Sequence, residues 1–303
     1  MKTGVLVMAH GTPSSPEGIE AFYTRIRRGS PPTPEQLADL TRRYLAIGGT
    51  SPLSERTAAQ VAGVAAALEA ELPGVFDVRY GSKFEPPLLE EAAQSFRDEG
   101  FTKVVGIVLA PHSSSMSTEQ YMSRARATLG DDVEFIAIGA WYDAPGFLNL
   151  IAQRVNDALA TIPSSRHATT EVIFSAHSLP EKVVTLGDTY PEQLKESAVL
   201  AAEIAGVHSS DVAWQSAGRT ADPWLGPDIL VALRDKRTQG FTDVVSCPIG
   251  FVSDHLEVLF DIDIEAQSVA SEVGLNLVRT ASLNDDPAFM RVLAGVITTA
   301  AGT

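Results

Sequence analysis

Two stretches of the chain end in the same way. Val5-Leu6-Val7-Met8 runs into "AHGTP" at 9–13, and Val172-Ile173-Phe174-Ser175 runs into "AHSLP" at 176–180. Each reads as a buried strand stopping at Ala-His, followed by a small residue, one variable residue and Pro. A second match keeps the same order: "GFTKVV" at 100–105 recurs as "GFTDVV" at 240–245, each opening a strand after a helical pattern. From His10 to His177 is 167 residues and from Gly100 to Gly240 is 140, so the copies have diverged by insertion. A chain built this way is an internal duplication, and each half must solve the same folding problem.

Short β-rich apolar runs alternate with longer amphipathic ones. Strands are expected at 4–8, 77–80, 103–109, 135–138, 171–175, 212–215, 242–247 and 276–279, and helices at 57–71, 88–98, 148–160 and 193–204 among others. Strands apolar on both faces, alternating with helices, call for a parallel α/β architecture. The strands fall into two groups of about four. "YDAPG" and "TIPSSRHATT" supply loop chemistry between them, which divides the chain into 1–145 and 146–303, with the last helix expected to pack back on the first half. Ligands of open parallel sheets bind beyond the carboxyl ends of the strands. His10, His112, His177 and the loop before His255 stand just past such ends, so four of the six histidines are expected on one rim, with His167 and His208 solvated.

The formal net charge is −15 over 303 residues, which argues against nucleic acid as a partner. The single cysteine, Cys247, allows no internal disulfide and no four-cysteine zinc or iron–sulfur site within one chain. The first apolar run is too short for a signal peptide, and no stretch approaches the ~20 apolar residues of a membrane span. A cytoplasmic protein without a membrane anchor is expected.

"SDHLEVLFDIDIEA" at 253–266 spaces Glu257, Asp261 and Glu265 at i, i+4 and i+8, on one face of a helix. Such carboxylates repel unless a cation or protonation offsets them. Leu256, Val258, Leu259, Phe260, Ile262 and Ile264 surround them, so the stripe is expected to line a cleft and pass cations; Asp254 is expected to cap the helix and Asp263 to point elsewhere. His177, at a strand end, suits proton abstraction or metal ligation as a neutral imidazole. In this acidic chain, Arg25, Arg27, Arg28, Arg42 and Arg43 crowd "YTRIRRG" and "RRYLAIGGTSPL", a concentration suited to binding carboxylates. "IGGTSP" suits a tight turn, but there is no Walker loop, no G-x-G-x-x-G, no G-x-S-x-G and no H-E-x-x-H. "WQSAGRTADPWLGPDI" at 214–229 reads as an ordered loop whose tryptophans wall an apolar pocket at a domain interface.

Taken together, "SAHSLP", "WQSAGRTADPWLGPDI" and "CPIGFVSDHLEVLFDID" closely resemble the ferrochelatase family, whose members insert Fe2+ into a porphyrin. "MAHGTP", "YTRIRRG" and "AIGGTSPL" resemble its coproporphyrin-type branch. The resemblance runs through nearly the whole chain. It implies two similar Rossmann-like domains, each a roughly four-stranded parallel sheet flanked by helices, with a cleft between them. It implies that His177 and Glu257 form the metal-insertion pair and that Asp261 and Glu265 continue an acidic ladder toward it. It further implies that Arg27 and Ser51, with Arg28 beside them, lie near the porphyrin, that Tyr121 contacts a propionate, and that Arg43 and Gln60 have lesser roles there. One position departs: the coproporphyrin branch typically carries tyrosine where this chain has His10. Histidine is a competent iron ligand, so His10 is expected to bind both porphyrin and metal.

The implied reaction needs no prosthetic group. Fe2+ is substrate, and an accessory divalent cation such as Mg2+ is expected at Asp261 and Glu265. The implied partners are coproporphyrin III, its coproheme product and, transiently, the downstream haem-pathway enzyme, with the chain itself a monomer. Protoporphyrin IX as substrate, a cobalt or nickel tetrapyrrole chelatase, and a non-enzymatic haem-binding module are the rival readings.

Overall fold

A computed structural model describes residues 2–218 and 220–303. It contains two four-stranded sheets. Strands β1 (Thr3–Ala9), β2 (Phe76–Ser82), β3 (Lys103–Val108) and β4 (Glu134–Ile138) lie in the order β2-β1-β3-β4. Strands β5 (Thr170–His177), β6 (Ser210–Gln215), β7 (Asp243–Cys247) and β8 (Asn276–Arg279) lie in the order β6-β5-β7-β8. Every pairing is parallel, so both sheets share one topology. Both sequence repeats fall on equivalent strands: the Ala-His ends close β1 and β5, and the Gly-Phe-Thr matches open β3 and β7.

The eight expected strands are present, each within three residues of its expected bounds. The connecting helices are α1 (Ile19–Ile26), α2 (Pro34–Ala46), α3 (Leu53–Glu71), α4 (Leu89–Asp98), α5 (Thr118–Leu129), α6 (Pro145–Leu159), α7 (Lys182–Thr185), α8 (Tyr190–Ala205), α9 (Ile229–Thr238), α10 (Gln267–Val273) and α11 (Pro287–Ala301). Thr33 and Gln36 form a capping box at the start of α2, where Pro34 has no N–H to leave unpaired.

The alternation of β1 sorts its side chains into two layers. Val5 and Val7 join a core shared with α3, α6, α8 and α11 and with Val172, Phe174 and Ala176 of β5, so a single apolar core runs through both halves. Leu6 and Met8 face the other way, onto α4 and α5. α11 lies against α3 of the first half, close enough that a Cβ on Gly63 would stand 2.5 Å from Met290.

β1 and β5 are each flanked by strands whose connections leave in opposite directions, so His10 and His177 sit at the switch points where such sheets bind ligands. Gly11 takes φ +84° directly after His10, a turn that a side chain would strain. Behind His177, Gly250 brings the turn after β7 against β5. A Cβ there would stand 2.4 Å from that of Ala176, and the Gly250 amide donates to the Ser175 carbonyl at 3.0 Å.

Candidate active site

The cleft residues separate into a histidine–carboxylate group and a basic rim. His177 is half-buried at the end of β5, where Tyr190 donates its hydroxyl hydrogen to the His177 carbonyl at 2.9 Å. Its Nδ1 is hydrogen-bonded to the Ser178 carbonyl, which turns Nε2 toward Glu257 Oε1 at 3.5 Å. The second carboxylate oxygen of Glu257 faces His255 Nε2 at 3.6 Å. Burial alone would lower the His177 pKa, but the Glu257 carboxylate and the Ser178 carbonyl overcome it and raise the imidazole to about 9. Glu257 is correspondingly held well below the usual carboxylate range: burial opposes this, and the charges and hydrogen bonds of His177 and His255 outweigh burial. His255 was expected on the rim but without a role beside Glu257. Its position two before Glu257 in "SDHLE" was the available signal, and its Nδ1 is oriented by the Ser253 carbonyl at 3.0 Å.

The acidic stripe does not lie on an α-helix. Residues 258–266 form a π-helix, set between Leu256-Glu257 and α10. In an α-helix a spacing of four overshoots one turn. The wider i→i+5 turn carries each residue through a smaller angle, so Glu257, Asp261 and Glu265 still share a face. Asp254 does not cap the helix as expected. It accepts from Ser282 at 2.8 Å, Asn284 at 2.9 Å and Arg279 at 3.1 Å. Arg279 also holds Asp263 in a two-pronged pair at 2.7 and 3.0 Å, so Asp263 does point elsewhere. Arg279 thereby takes two of the five acids of this stretch away from the stripe.

Asp261 is buried. Its Oδ2 accepts from the Ser216 hydroxyl, while its Oδ1 has no hydrogen-bond partner and faces Arg43 Nη1 at 3.8 Å. Burial first and Glu257 second push its pKa up to about 7, against the Ser216 hydrogen bond and the Arg43 charge. Glu265 is half-buried and adds a further repulsive field at Asp261.

His10 lies across the cleft, near enough to His177 and Glu257 that their charges act on it. It is solvent-accessible yet surrounded by protein, as a side chain lining an open cleft would be, and these surroundings lower its pKa. Nδ1 is engaged with the Gly11 carbonyl at 3.1 Å, which leaves Nε2 available, and Phe22 and Phe84 meet the ring edge-on at 5.8 and 4.8 Å. The surroundings of two equivalent histidines thus move proton affinity in opposite directions, down at His10 and up at His177.

The basic cluster lines the first half. Arg27 is half-buried, donates to the Ser30 carbonyl at 3.2 Å and lies over Tyr23 at 5.7 Å. Arg28 is exposed with φ +56°. Arg25 is tied to Glu85 and to the Phe84 carbonyl, and so is already neutralised. Gly48 and Gly49 take φ +104° and +100° in the expected tight turn, beyond which buried Ser51 accepts from the Leu53 amide at 3.3 Å. Tyr121 is buried in α5, its phenol pushed up by burial. Lys83, absent from the expected set, stands 4.8 Å over the Tyr121 ring and donates to Gln120 at 2.9 Å. Burial, Arg124 and Arg28 bring its pKa down to about 8. Half-buried positive charge of this kind is suited to an incoming anion, and only the fold brings 83 to 121.

Four other expectations are corrected. His112 is not on the rim: it is buried against Tyr142, bonded through Nε2 to Ser197 of α8 at 2.8 Å, and its pKa falls to about 3 through burial. Gln60 is buried on the seam between α3 and the loop before α11, donating to the Asn284 carbonyl at 2.9 Å. Trp214 does not wall the cleft. Trp214 is a core residue of β6, and Trp224 packs on Gly218 within its own loop. That loop instead holds the segment after His177, with Ser178 donating to the Leu225 carbonyl and the Leu225 amide to the Leu179 carbonyl, each at 2.8 Å. His167 is also not simply solvated, since its Nε2 reaches the Ile162 carbonyl at 3.0 Å. No helix among the described residues is long and apolar enough to cross a membrane.

Two sheets of one topology, with histidines at their switch points facing one cleft, define the class II chelatase fold. The solved structure of SirB from Bacillus subtilis with Fe3+ shares that fold, at a TM-score of 0.59 and 12% identity over 100% of this chain and 98% of that one. The family profile described as ferrochelatase matches residues 2–301, and the chain belongs to the ferrochelatase family. Among its relatives, the coproporphyrin III ferrochelatase of Halalkalibacterium halodurans is 45% identical, over 98% of this chain and 96% of that protein. The coproporphyrin III ferrochelatase of Bacillus subtilis strain 168 is 44% identical over 98% and 97%.

Proposed function

We propose that this chain inserts Fe2+ into coproporphyrin III to give coproheme in haem biosynthesis. The His177–Glu257 pair, opposite His10 across a cleft at the strand ends, carries the reading. A free porphyrin holds two pyrrole N–H protons, and both must leave as the metal enters. His177 accepts a pyrrole proton through Nε2. Glu257, between two imidazoles, receives Fe2+ along the Asp261–Glu265 path and holds charge beside the ring. A doubly charged ion beside Glu257 offsets the field that keeps a proton on His177, so arrival of the metal frees the base. For each Fe2+ bound, two protons go to solvent and the metallated ring core stays neutral.

Arg27, Arg28, Ser51 and Tyr121, with the newly identified Lys83, form the carboxylate-binding rim, and Arg43 has a lesser role beside it. A basic rim in a chain of net charge −15 supports a four-carboxylate porphyrin over a two-carboxylate one, and the coproporphyrin III ferrochelatases among the relatives support the same choice. His10 is the axial ligand of the product iron. The buried Asp261 oxygen without a hydrogen-bond partner fits an accessory divalent cation such as Mg2+, shared with Glu265. The halves 1–145 and 146–303 act as the two jaws of the cleft, and the protein works as a cytoplasmic monomer that passes coproheme to the next enzyme of the pathway.

Anaerobic absorbance spectroscopy with Fe2+ and each porphyrin in turn tests this. Faster metallation of coproporphyrin III than of protoporphyrin IX is expected. Preference for protoporphyrin IX, preference for cobalt or nickel, or haem binding without metallation would each sink it.

A further inference from the structure

Arg43 belongs to α2 of the first half, and Asp261 to the π-helix of the second. Their contact is loose: 3.8 Å from Nη1 to Oδ1, with no hydrogen bond. Since Ser216 occupies Oδ2, Oδ1 is the oxygen of Asp261 left open to a ligand, and it is the one the guanidinium faces. The Asp261 side chain is only 8% exposed, so the pair is weakly screened by solvent. Arg43 also has a second partner. Its Nε donates to Asp39 Oδ2 at 3.1 Å, one turn back on its own helix, and its guanidinium lies 5.3 Å over the ring of Phe260, next to Asp261. Letting go of Asp261 therefore leaves Arg43 paired.

We propose that Arg43 is the resident counter-ion of the acidic path, a cross-cleft lock that a divalent cation must displace to use Asp261. A cation on Oδ1 and a guanidinium at its present distance would repel strongly, so the two are alternatives. The lock offsets the mutual repulsion of Glu257, Asp261 and Glu265 while the path is empty. It also makes cation binding by the second half depend on a residue of the first. The proposal rests on the cation path described above and adds what occupies that path at rest.

Binding of Mn2+ to the porphyrin-free full chain, followed by loss of the free-ion electron paramagnetic resonance signal at low salt, tests it. Arg43→Gln should tighten Mn2+ binding by about tenfold or more, while Arg43→Lys, which keeps the charge, should stay near wild type. Asp39→Asn should weaken binding, because Arg43 then loses its alternative partner. In an Asp261→Asn background the effect of Arg43→Gln should vanish. If Asp261→Asn weakens Mn2+ binding but Arg43→Gln leaves it unchanged or weaker, the lock alone is overturned. If Asp261→Asn binds Mn2+ like wild type, both the lock and the path are overturned.

Discussion

His177 Nε2 stands 3.5 Å from Glu257 Oε1, and the other oxygen of the same carboxylate faces His255 at 3.6 Å. His177 and Glu257 are thus one ionic unit, and what happens to one changes the proton affinity of the other. His177→Ala should lower the metallation rate by on the order of a hundred- to ten-thousand-fold while porphyrin binding, read by absorbance, persists. Wild-type metallation by that variant would remove His177 from the chemistry.

The pH dependence has a defined sign. The folded His177 pKa is raised to about 9, so its contribution to stability is complete below the ordinary imidazole pKa and is lost as pH rises through about 9. Glu257→Gln removes the main raising influence and should bring the imidazole pKa down, as followed by NMR titration of the His177 ring protons. An unchanged titration would mean that Glu257 does not hold the proton there.

His10→Ala should act on the product more than on the reaction. Its Nδ1 is taken by the Gly11 carbonyl, and the charges of His177 and Glu257 reach its ring, so the absorbance spectrum of bound coproheme and its rate of release should change while metallation continues. If His10→Ala and His177→Ala lost only metallation, the two-sided arrangement would be wrong.

Lys83 titrates near pH 8 without an anion beside it. A porphyrin carboxylate at that point would raise its pKa, so binding coproporphyrin III near pH 8 should take up a proton, measurable as a buffer-dependent binding enthalpy. In Lys83→Met the uptake should disappear and the porphyrin affinity should fall. Equal uptake in the variant would assign the proton elsewhere.

The halves are also tied away from the cleft. Ser114 Oγ, Ser115 N and Ser115 Oγ all donate to Asp188 Oδ2 at 2.8 Å, beside the buried His112–Ser197 bond. Asp188→Ala should cost about 1–2 kcal/mol in denaturant unfolding, toward the low end for loss of hydrogen bonds to a charged group because the site is open to solvent. The Asp188 pKa is lowered: burial opposes this and the serine hydrogen bonds outweigh it. The wild-type contribution is therefore present above the ordinary carboxylate pKa and fades as pH falls through the lowered value. An unchanged unfolding midpoint would show that the tie carries no stability.

Periodicity and repetition determined much of this protein. Alternating apolar runs specified parallel α/β halves, and the paired Ala-His and Gly-Phe-Thr matches specified which strands correspond, because local sequence sets strand ends and turn chemistry. The motif around His177 and the spacing of Glu257, Asp261 and Glu265 marked the histidine–carboxylate group for the same reason. Tertiary structure decided what each group does there. Nothing local distinguishes the imidazole of His10 from that of His177; a carboxylate from a distant segment raises the proton affinity of one, and burial lowers that of the other. Nothing local turns His112 from the rim into an interface core, brings Lys83 to Tyr121, or sets Arg43 against Asp261. Each depends on contacts between residues far apart in the chain, and proton affinity follows the field and solvent exposure those contacts create.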